Sequence, residues 1–310
     1  MNTKPFIARR GLNILLFLLT VLSTYLVGLT WSMSFFYAQD LARDSAFTDA
    51  RSLIDGSVLV LSAVYVVVLL GILVGHELGH YLACRRYGIE ATWPYFIPAP
   101  TLVGTLGAFI KIRSPITRKR QLFDIGAAGP IVGFSLALPA LFVGLALSKV
   151  VPALPREEAI VFGESLLLKF VAGLVLGPIP PAHDVVLHPI GFAGWVGMLV
   201  TAFNLFPLGQ LDGGHIAYAA FGGKSLRAAR FFPAVLFVMG IFFWFGWFVW
   251  ILVILMLGLK HPRILDEDIP LTPGRRLTAF LLILVFLVTF VPDPIKGFSG
   301  LSLLKQTGLF

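Results

Sequence analysis

The 310-residue chain is 57% hydrophobic and only 13% charged, and its mean hydropathy is +0.89. A soluble domain carries about a quarter charged residues, so this composition excludes an ordinary soluble globular protein and favours membrane embedding. The net charge of +8 is divided among short basic clusters between apolar runs, a pattern typical of membrane topology and not of a nucleic-acid-binding surface. The single cysteine, Cys84, excludes an internal disulfide and a cysteine-rich metal site.

Two spans joined by an outer loop are predicted in the N-terminal part. Residues 12–31 are apolar and follow a basic start without acidic residues, which favours a cytoplasmic N-terminus. Residues 57–82 form a second apolar run that ends at Arg85-Arg86, so we expect it to return to the cytoplasmic face. The loop between them is net acidic, which suits the outer side; its acidic residues are Asp40, Asp44, Asp49 and Asp55.

Residues 89–120 are predicted to lie at the membrane without crossing it. Their four prolines interrupt any helix, and the alternating pattern of Thr105–Arg113 indicates a strand. Residues 125–147 form the third predicted span, where small residues allow close helix contact in lipid. Those small residues are Gly126, Gly129 and Gly133.

A long outer connection is predicted over residues 150–188. Within it, residues 161–176 are moderately apolar but contain Glu164 and Lys169, so we expect an interfacial or re-entrant segment. A fourth span is predicted over residues 190–206 and ends before a proline.

Residues 231–259 fit either one long span or a tight hairpin that turns near Trp244–Trp247. The basic residues that follow favour the inner side and therefore the hairpin; they are Lys260, Arg263, Arg275 and Arg276. A last span is predicted over residues 277–291.

The expected fold class is an all-α polytopic membrane protein. It has six or seven transmembrane helices and a short membrane-associated β hairpin near the active site. We expect one membrane-embedded domain over residues 1–310, with a core at about 57–221 and accessory spans at about 12–31 and 231–292.

The sequence His76-Glu77-Leu78-Gly79-His80 carries the chemistry of the second span. Residues four apart lie on one face of a helix, one turn apart, so both imidazoles can hold one zinc ion. Glu77 then lies beside the ion as a general base for water. Polar residues this deep in an apolar helix are costly unless they face a cavity or an ion, which favours a functional site.

A catalytic zinc needs a third protein ligand, and the spacings of soluble proteases do not supply it. A histidine would be expected at the position of Arg86, and Glu90 follows His80 too closely. The best remaining acid is Asp212, at the inner end of the fourth span and near the depth of the two histidines.

The two motifs together resemble those of the site-2 protease family of intramembrane metalloproteases. The second motif runs from Asn204 through Pro207 to the sequence Leu211-Asp212-Gly213-Gly214-His215. The resemblance covers residues 57–221.

The resemblance implies one zinc ion per chain held by His76, His80 and Asp212, with Glu77 as the catalytic base. It also implies that Asn204 binds substrate or the reaction intermediate. The segment 104–113 looks like the family's membrane-associated strand, whose edge could pair with an unwound substrate. Many relatives have a second proline where this chain has Gly209, and no inserted regulatory domain is visible in the sequence.

The function expected is that of a zinc metalloendopeptidase that hydrolyses peptide bonds within or next to transmembrane segments. Its partners would be transmembrane protein substrates and the lipid bilayer, with no nucleic acid. We expect a multi-pass protein of a prokaryotic inner membrane, with the active site and N-terminus toward the cytoplasm, since no transit peptide is apparent. A metal-ion transporter and a catalytically silent membrane scaffold are the alternatives.

Four further residues have roles that the sequence leaves open. His215 could support Asp212, begin a helix or act as a ligand. His183 and His188 lie on the predicted outer side, and Asp124 is expected to stabilise the start of the third span.

Overall fold

A computed structural model describes residues 4–38, 55–153, 160–258 and 264–302. Most of the acidic outer loop, namely Asp40, Asp44 and Asp49, lies outside the described residues, as do Lys260 and Arg263. The described part is mainly helical, with two small antiparallel sheets. In chain order the helices are α1 Lys4–Phe36, α2 Gly56–Arg86, α3 Lys119–Ala146, α4 Leu166–Leu176, α5 Pro189–Asn204, α6 Asp212–Phe221, α7 Gly223–Ala229, α8 Phe232–Phe242, α9 Gly246–Leu257 and α10 Pro273–Thr289. The strands are β1 Tyr95–Pro98, β2 Thr105–Phe109, β3 Lys149–Pro152 and β4 His183–Val186.

Three of the described helices are long and apolar enough to cross a membrane: α1 from Gly11, α2 and α3. They correspond to the first three predicted spans. The other predicted spans fall on shorter helices, of 16 residues in α5 and 17 in α10. About 20 residues are needed to cross the hydrocarbon core, so the predicted count of six or seven spans stays a prediction.

The described part of the region 231–259, up to Gly258, is a helical hairpin. Helices α8 and α9 have 11 and 12 residues, and the chain turns between them at Phe243–Phe245. The rings of Phe237 and Phe248 meet across the hairpin with centroids 5.4 Å apart. Each arm is only about 17 Å long, roughly half the thickness of the hydrocarbon core.

The predicted β hairpin is present as the pair β1 and β2. Tyr95 pairs with Phe109 and Phe96 with Ala108, and a bulge follows before Pro98 pairs with Thr105. The second sheet, β3 with β4, departs from the sequence prediction, which gives the segment 150–188 only as a connection. Its strands have four residues each and are separated by 30 residues in the chain, so no short hairpin turn in the sequence predicts their pairing.

The chain forms two compact units. The first comprises Met1–Pro115, Ile131–Pro155 and Phe170–Val200. Its helices approach closely at glycines: a Cβ on Gly144 would lie 2.0 Å from the Cα of Gly191. Such contacts are typical of helices in lipid, where packing and not the hydrophobic effect drives association.

The second unit comprises Ile116–Pro130, Arg156–Lys169 and Thr201–Phe310. A buried apolar cluster joins the start of α3, helix α6 and helix α10; it includes Leu122, Phe123, Ile216, Ala219 and Leu282. Aromatic rings extend this core, with Phe206 in edge contact with Trp247 and Phe286. Helix α6, which begins with Asp212, is therefore anchored along its apolar face.

Candidate metal centre

The first half of the candidate site is one turn of α2. His76, Glu77 and His80 are 4%, 6% and 7% exposed, so all three polar side chains are buried. The Nε2 atoms of the two histidines lie 3.1 Å apart. The sequence prediction that both imidazoles share one face of a helix is confirmed.

The spacing of the two nitrogens fits a shared metal ion. Zinc binds imidazole nitrogen at 2.0–2.1 Å, so two such ligands of a tetrahedral ion lie about 3.3 Å apart. The observed 3.1 Å is close to this value. Glu77 is the next residue along and is turned by about 100° around the helix axis.

Gly133 of α3 makes room for His76. A Cβ on Gly133 would lie 2.9 Å from Nδ1 of His76 and 3.4 Å from its Cβ. Any larger residue would push against the imidazole ring. The close helix contact predicted for this glycine is thus a contact with His76, a candidate metal ligand.

The second half of the candidate site is the turn between α5 and α6. Asn204 is the last residue of α5 and is half-buried, and Asp212 is the first residue of α6. An acidic side chain in the first turn interacts favourably with the helix dipole.

Two glycines allow the chain to fold tightly around the start of α6. A Cβ on Gly213 would lie 2.0 Å from the carbonyl oxygen of Leu205, and one on Gly214 would lie 2.5 Å from that of Gly209. The glycines after Asp212 are therefore required by backbone contact.

Gly209 explains the departure from the two-proline pattern. Its φ is +46°, in the left-handed region that glycine adopts readily. Proline is fixed near −65° and could not take this conformation. The glycine therefore permits a backbone conformation in this turn that a proline at position 209 would exclude.

His76 and His80 belong to the first compact unit and Asp212 to the second, so the ligand set of His76, His80 and Asp212 stays a prediction. Three protein ligands that leave a fourth position open are what a catalytic zinc requires.

A family model described as Peptidase family M50 matches residues 64–247, which is more than half of the chain. The chain belongs to peptidase family M50. The match includes α2 from Val64, the β1–β2 hairpin, α3, α5 and α6.

Several curated relatives are similar to this M50 chain. The probable zinc metalloprotease EGY2, chloroplastic, of Arabidopsis thaliana is 31% identical over 83% of this chain and 45% of its own length. The probable zinc metalloprotease EGY1, chloroplastic, of Oryza sativa subsp. japonica is 37% identical over 69% of this chain and 38% of its own. The chain thus spans less than half of these relatives. No solved structure matches.

The family membership and the apolar helices make this a membrane protein. The remaining sequence candidates lie in different surroundings. His215 faces Gly126, where a Cβ would lie 2.9 Å from its own Cβ. His183 is exposed, and Cys84 is buried next to the candidate turn.

Asp124 does not begin its helix as expected. It lies within α3, which starts earlier, at Lys119, and it forms a bidentate ion pair with Arg275 of α10. The two hydrogen bonds measure 2.8 and 2.7 Å. Two residues further along α3, a Cβ on Gly126 would lie 3.2 Å from the carbonyl oxygen of Asp212. Sequence reasoning missed this link, because 151 residues separate the two partners.

Proposed function

We propose that this chain is a zinc-dependent intramembrane endopeptidase. In this proposal His76, His80 and Asp212 hold one zinc ion, and Glu77 is the general base. The observation that carries it is the buried turn of α2, where two imidazole nitrogens face one another at 3.1 Å. The names of the relatives, which call them probable zinc metalloproteases, support the same metal and reaction.

The proposed reaction is hydrolysis of a peptide bond. Zinc, when bound, supplies Lewis acidity that lowers the pKa of a bound water and polarises the scissile carbonyl. Glu77 accepts the proton of the attacking water as the new C–O bond forms, and then delivers it to the amide nitrogen as the C–N bond breaks. The burial of Glu77 keeps bulk water from competing for this proton.

Transmembrane segments are the proposed substrates. A helix has its backbone hydrogen bonds internally satisfied, so a substrate must unwind locally before its carbonyl can be attacked. Strand β2 is proposed to pair with the unwound segment, and Asn204 to donate a hydrogen bond to substrate or intermediate. Residues 57–221 would form the catalytic core and the flanking helices accessory elements.

The proposed orientation places the N-terminus and the active site toward the cytoplasm of a prokaryotic inner membrane. Two basic residues, Arg85 and Arg86, end α2 and are exposed, as the positive-inside rule expects. The named relatives are chloroplastic, so reporter fusions and cell fractionation are the direct tests of membrane and side.

A cleavage assay with Glu77→Gln tests the proposed function. The protein in lipid is given a tagged single-span model substrate with a central Asn-Pro pair, and its zinc content is measured. We expect Glu77→Gln to lower kcat by about 10²- to 10⁴-fold while zinc stays bound. The matched control is Glu90→Gln, an exposed carboxylate beyond the end of α2, which should cleave normally. Metal flux into vesicles without cleavage by either form would instead support a transporter.

The third ligand has its own test. Asp212→Ala should lose stoichiometric zinc, whereas Asp184→Ala, an exposed acid on β4, should keep it. Full zinc affinity in Asp212→Ala would refute the proposed ligand set.

A further inference from the structure

Helix α1 is fastened to the β1–β2 hairpin at both ends of the hairpin. Near the base, the Asn13 amide donates to the carbonyl oxygens of Trp93 and Pro94 at 3.0 and 2.9 Å. Near the tip, Trp31 Nε1 donates to the carbonyl of Leu102 at 2.9 Å. In this membrane setting, polar side chains of a spanning helix thus satisfy backbone groups that the hairpin cannot satisfy itself.

A third contact involves Ser23, which lies between Asn13 and Trp31 along α1. Ser23 Oγ donates to the carbonyl of Gly104 at 2.7 Å. Gly104 has a φ of +88°, and a Cβ there would lie 2.6 Å from the Cα of Thr24. The tip of the hairpin therefore rests directly on the backbone of α1, which only glycine permits.

The spacing of these contacts shows that the first arm of the hairpin runs along the helix. Asn13 and Trp31 are about 27 Å apart along a helix axis. Trp93 and Leu102, which they bind, are at most about 30 Å apart in extended chain. The arm is thus long enough to cover this stretch of α1, and the contact of Phe17 with Phe96 between the two ends shows that β1 runs along the helix.

Helix α2 supports the same hairpin and relates it to the metal centre. The Tyr65 hydroxyl donates to the carbonyl of Val103 at 2.9 Å, and the Tyr81 ring meets that of Trp93 with centroids 5.9 Å apart. His76 and His80 lie between these two tyrosines along α2. The strands are thereby held at the level of the candidate site.

The two strands differ in what covers them. β1 packs on α1, with Phe96 in edge contact with Phe17 at 5.0 Å, and it contains Pro98, which lacks an N–H. β2 contains no proline, and no third strand joins this sheet in the described part of the chain. Its side chains Leu106 and Phe109 are 68% and 48% exposed. β2 is therefore the strand suited to pair with another extended segment.

We propose that α1 is the positioning element of this strand: Asn13, Ser23 and Trp31 fix the hairpin so that β2 meets substrate at the level of His76 and Glu77. Helix α1 lies outside the residues that the family model matches, so family membership assigns it no such role. The inference rests on the proposed function for the identity of the pairing partner, but the attachment of the hairpin is testable without it.

The test measures the position of the hairpin in spin-labelled protein and the kinetics in the same variants without labels or label cysteines, in each case with the full chain in lipid. Spin labels are placed at Leu106→Cys and Val67→Cys, both at exposed positions, in a Cys84→Ser background. The double variant Asn13→Ala/Trp31→Phe removes three hydrogen bonds from the side of α1. Gly104→Ala is made in the hairpin itself, where the new methyl group would displace the tip from the backbone of α1. Leu18→Ala, an exposed apolar residue of α1, is the matched control.

We expect both variants to broaden the spin-label distance distribution and to raise KM for the single-span model substrate about tenfold, with kcat changed less than about twofold. Zinc content should stay at the level of the control. An unchanged distance distribution would overturn the proposal, as would a broadened one with unchanged KM. Absence of cleavage by the unsubstituted enzyme would overturn the proposed function instead, since the distances are measured independently of it.

Discussion

The two halves of the candidate site are built by different means. His76, Glu77 and His80 lie on a regular helix whose geometry brings them together without help from the loops. Asp212 follows an irregular turn that closes only because Gly209, Gly213 and Gly214 let backbone approach backbone. The first half needs a regular helix and the space that Gly133 leaves beside His76. The second half needs a tight turn whose backbone conformation depends on glycines. Substitutions that add one methyl group should therefore affect the two halves very differently.

The largest effect is expected from Gly213→Ala. The new methyl group would lie 2.0 Å from the carbonyl oxygen of Leu205, and backbone cannot move aside as a side chain can. We expect a loss of about 3 kcal/mol or more in the free energy of unfolding, measured by thermal unfolding in detergent. Gly71→Ala is the matched control on α2, where nothing lies within 4 Å, and it should be neutral or stabilising by about 0.5–1 kcal/mol. An equal change in the free energy of unfolding in the two variants would show that the turn before α6 tolerates a methyl group as well as α2 does.

The next effect concerns the ion pair near the start of α6. Asp124 and Arg275 are 29% and 26% exposed, so Asp124→Asn removes a negative charge that lies against a largely buried guanidinium. We expect a loss of about 2 kcal/mol, between the values for exposed and for fully buried pairs. The control is Glu164→Gln, whose partner Lys169 lies 3.8 Å away on an exposed surface and which should change stability by less than about 0.5 kcal/mol. A loss as small as that of the control would show that the link to α10 is dispensable.

Gly133→Ala tests the first half of the candidate site, on α2. Alanine favours the helix, but its methyl group would press on Nδ1 of His76. We expect zinc affinity to fall about tenfold, or about 1.4 kcal/mol, while the thermal unfolding temperature is unchanged or higher. Metal titration by competition with a chelator measures this. Unchanged affinity would mean that the imidazole can shift without cost.

The smallest effect is a pH dependence at the start of α5. Burial, and secondarily the charge of Lys149, lowers the pKa of His188 below its usual 6.5. Its Nδ1 accepts the N–H of Ile190 at 3.2 Å, a bond that protonation removes. Since the folded pKa is the lower one, the unfolded chain takes up the proton first. Stability should therefore fall as the pH drops below about 6.5, and be unaffected above it.

Unfolding measured from pH 8 to pH 5 tests this. Lys149→Met should reduce the slope and His188→Asn should abolish it. A slope that persists in His188→Asn would assign it to another group.

Much of the candidate site was predictable because its signals are local. The spacing of His76 and His80 places them on one helical face wherever that helix goes. The alternating pattern of residues 105–113 and the prolines around it likewise predicted the hairpin. The turn in the region 231–259 was predicted only with the help of the charges that follow it.

What the sequence alone determined about this protein is therefore the membrane class and the helical turn that carries His76, Glu77 and His80, whereas Asp212 as the third ligand stays a prediction. The tertiary structure decided that Gly133 faces His76, that Gly209 and Gly213 shape the turn before α6, and that α1 carries the hairpin. It also joined Asp124 to Arg275. The physical reason is that helix and strand periods follow from neighbouring residues. Close approach of glycines and polar contacts between distant helices depend on how those elements pack, which no local pattern encodes.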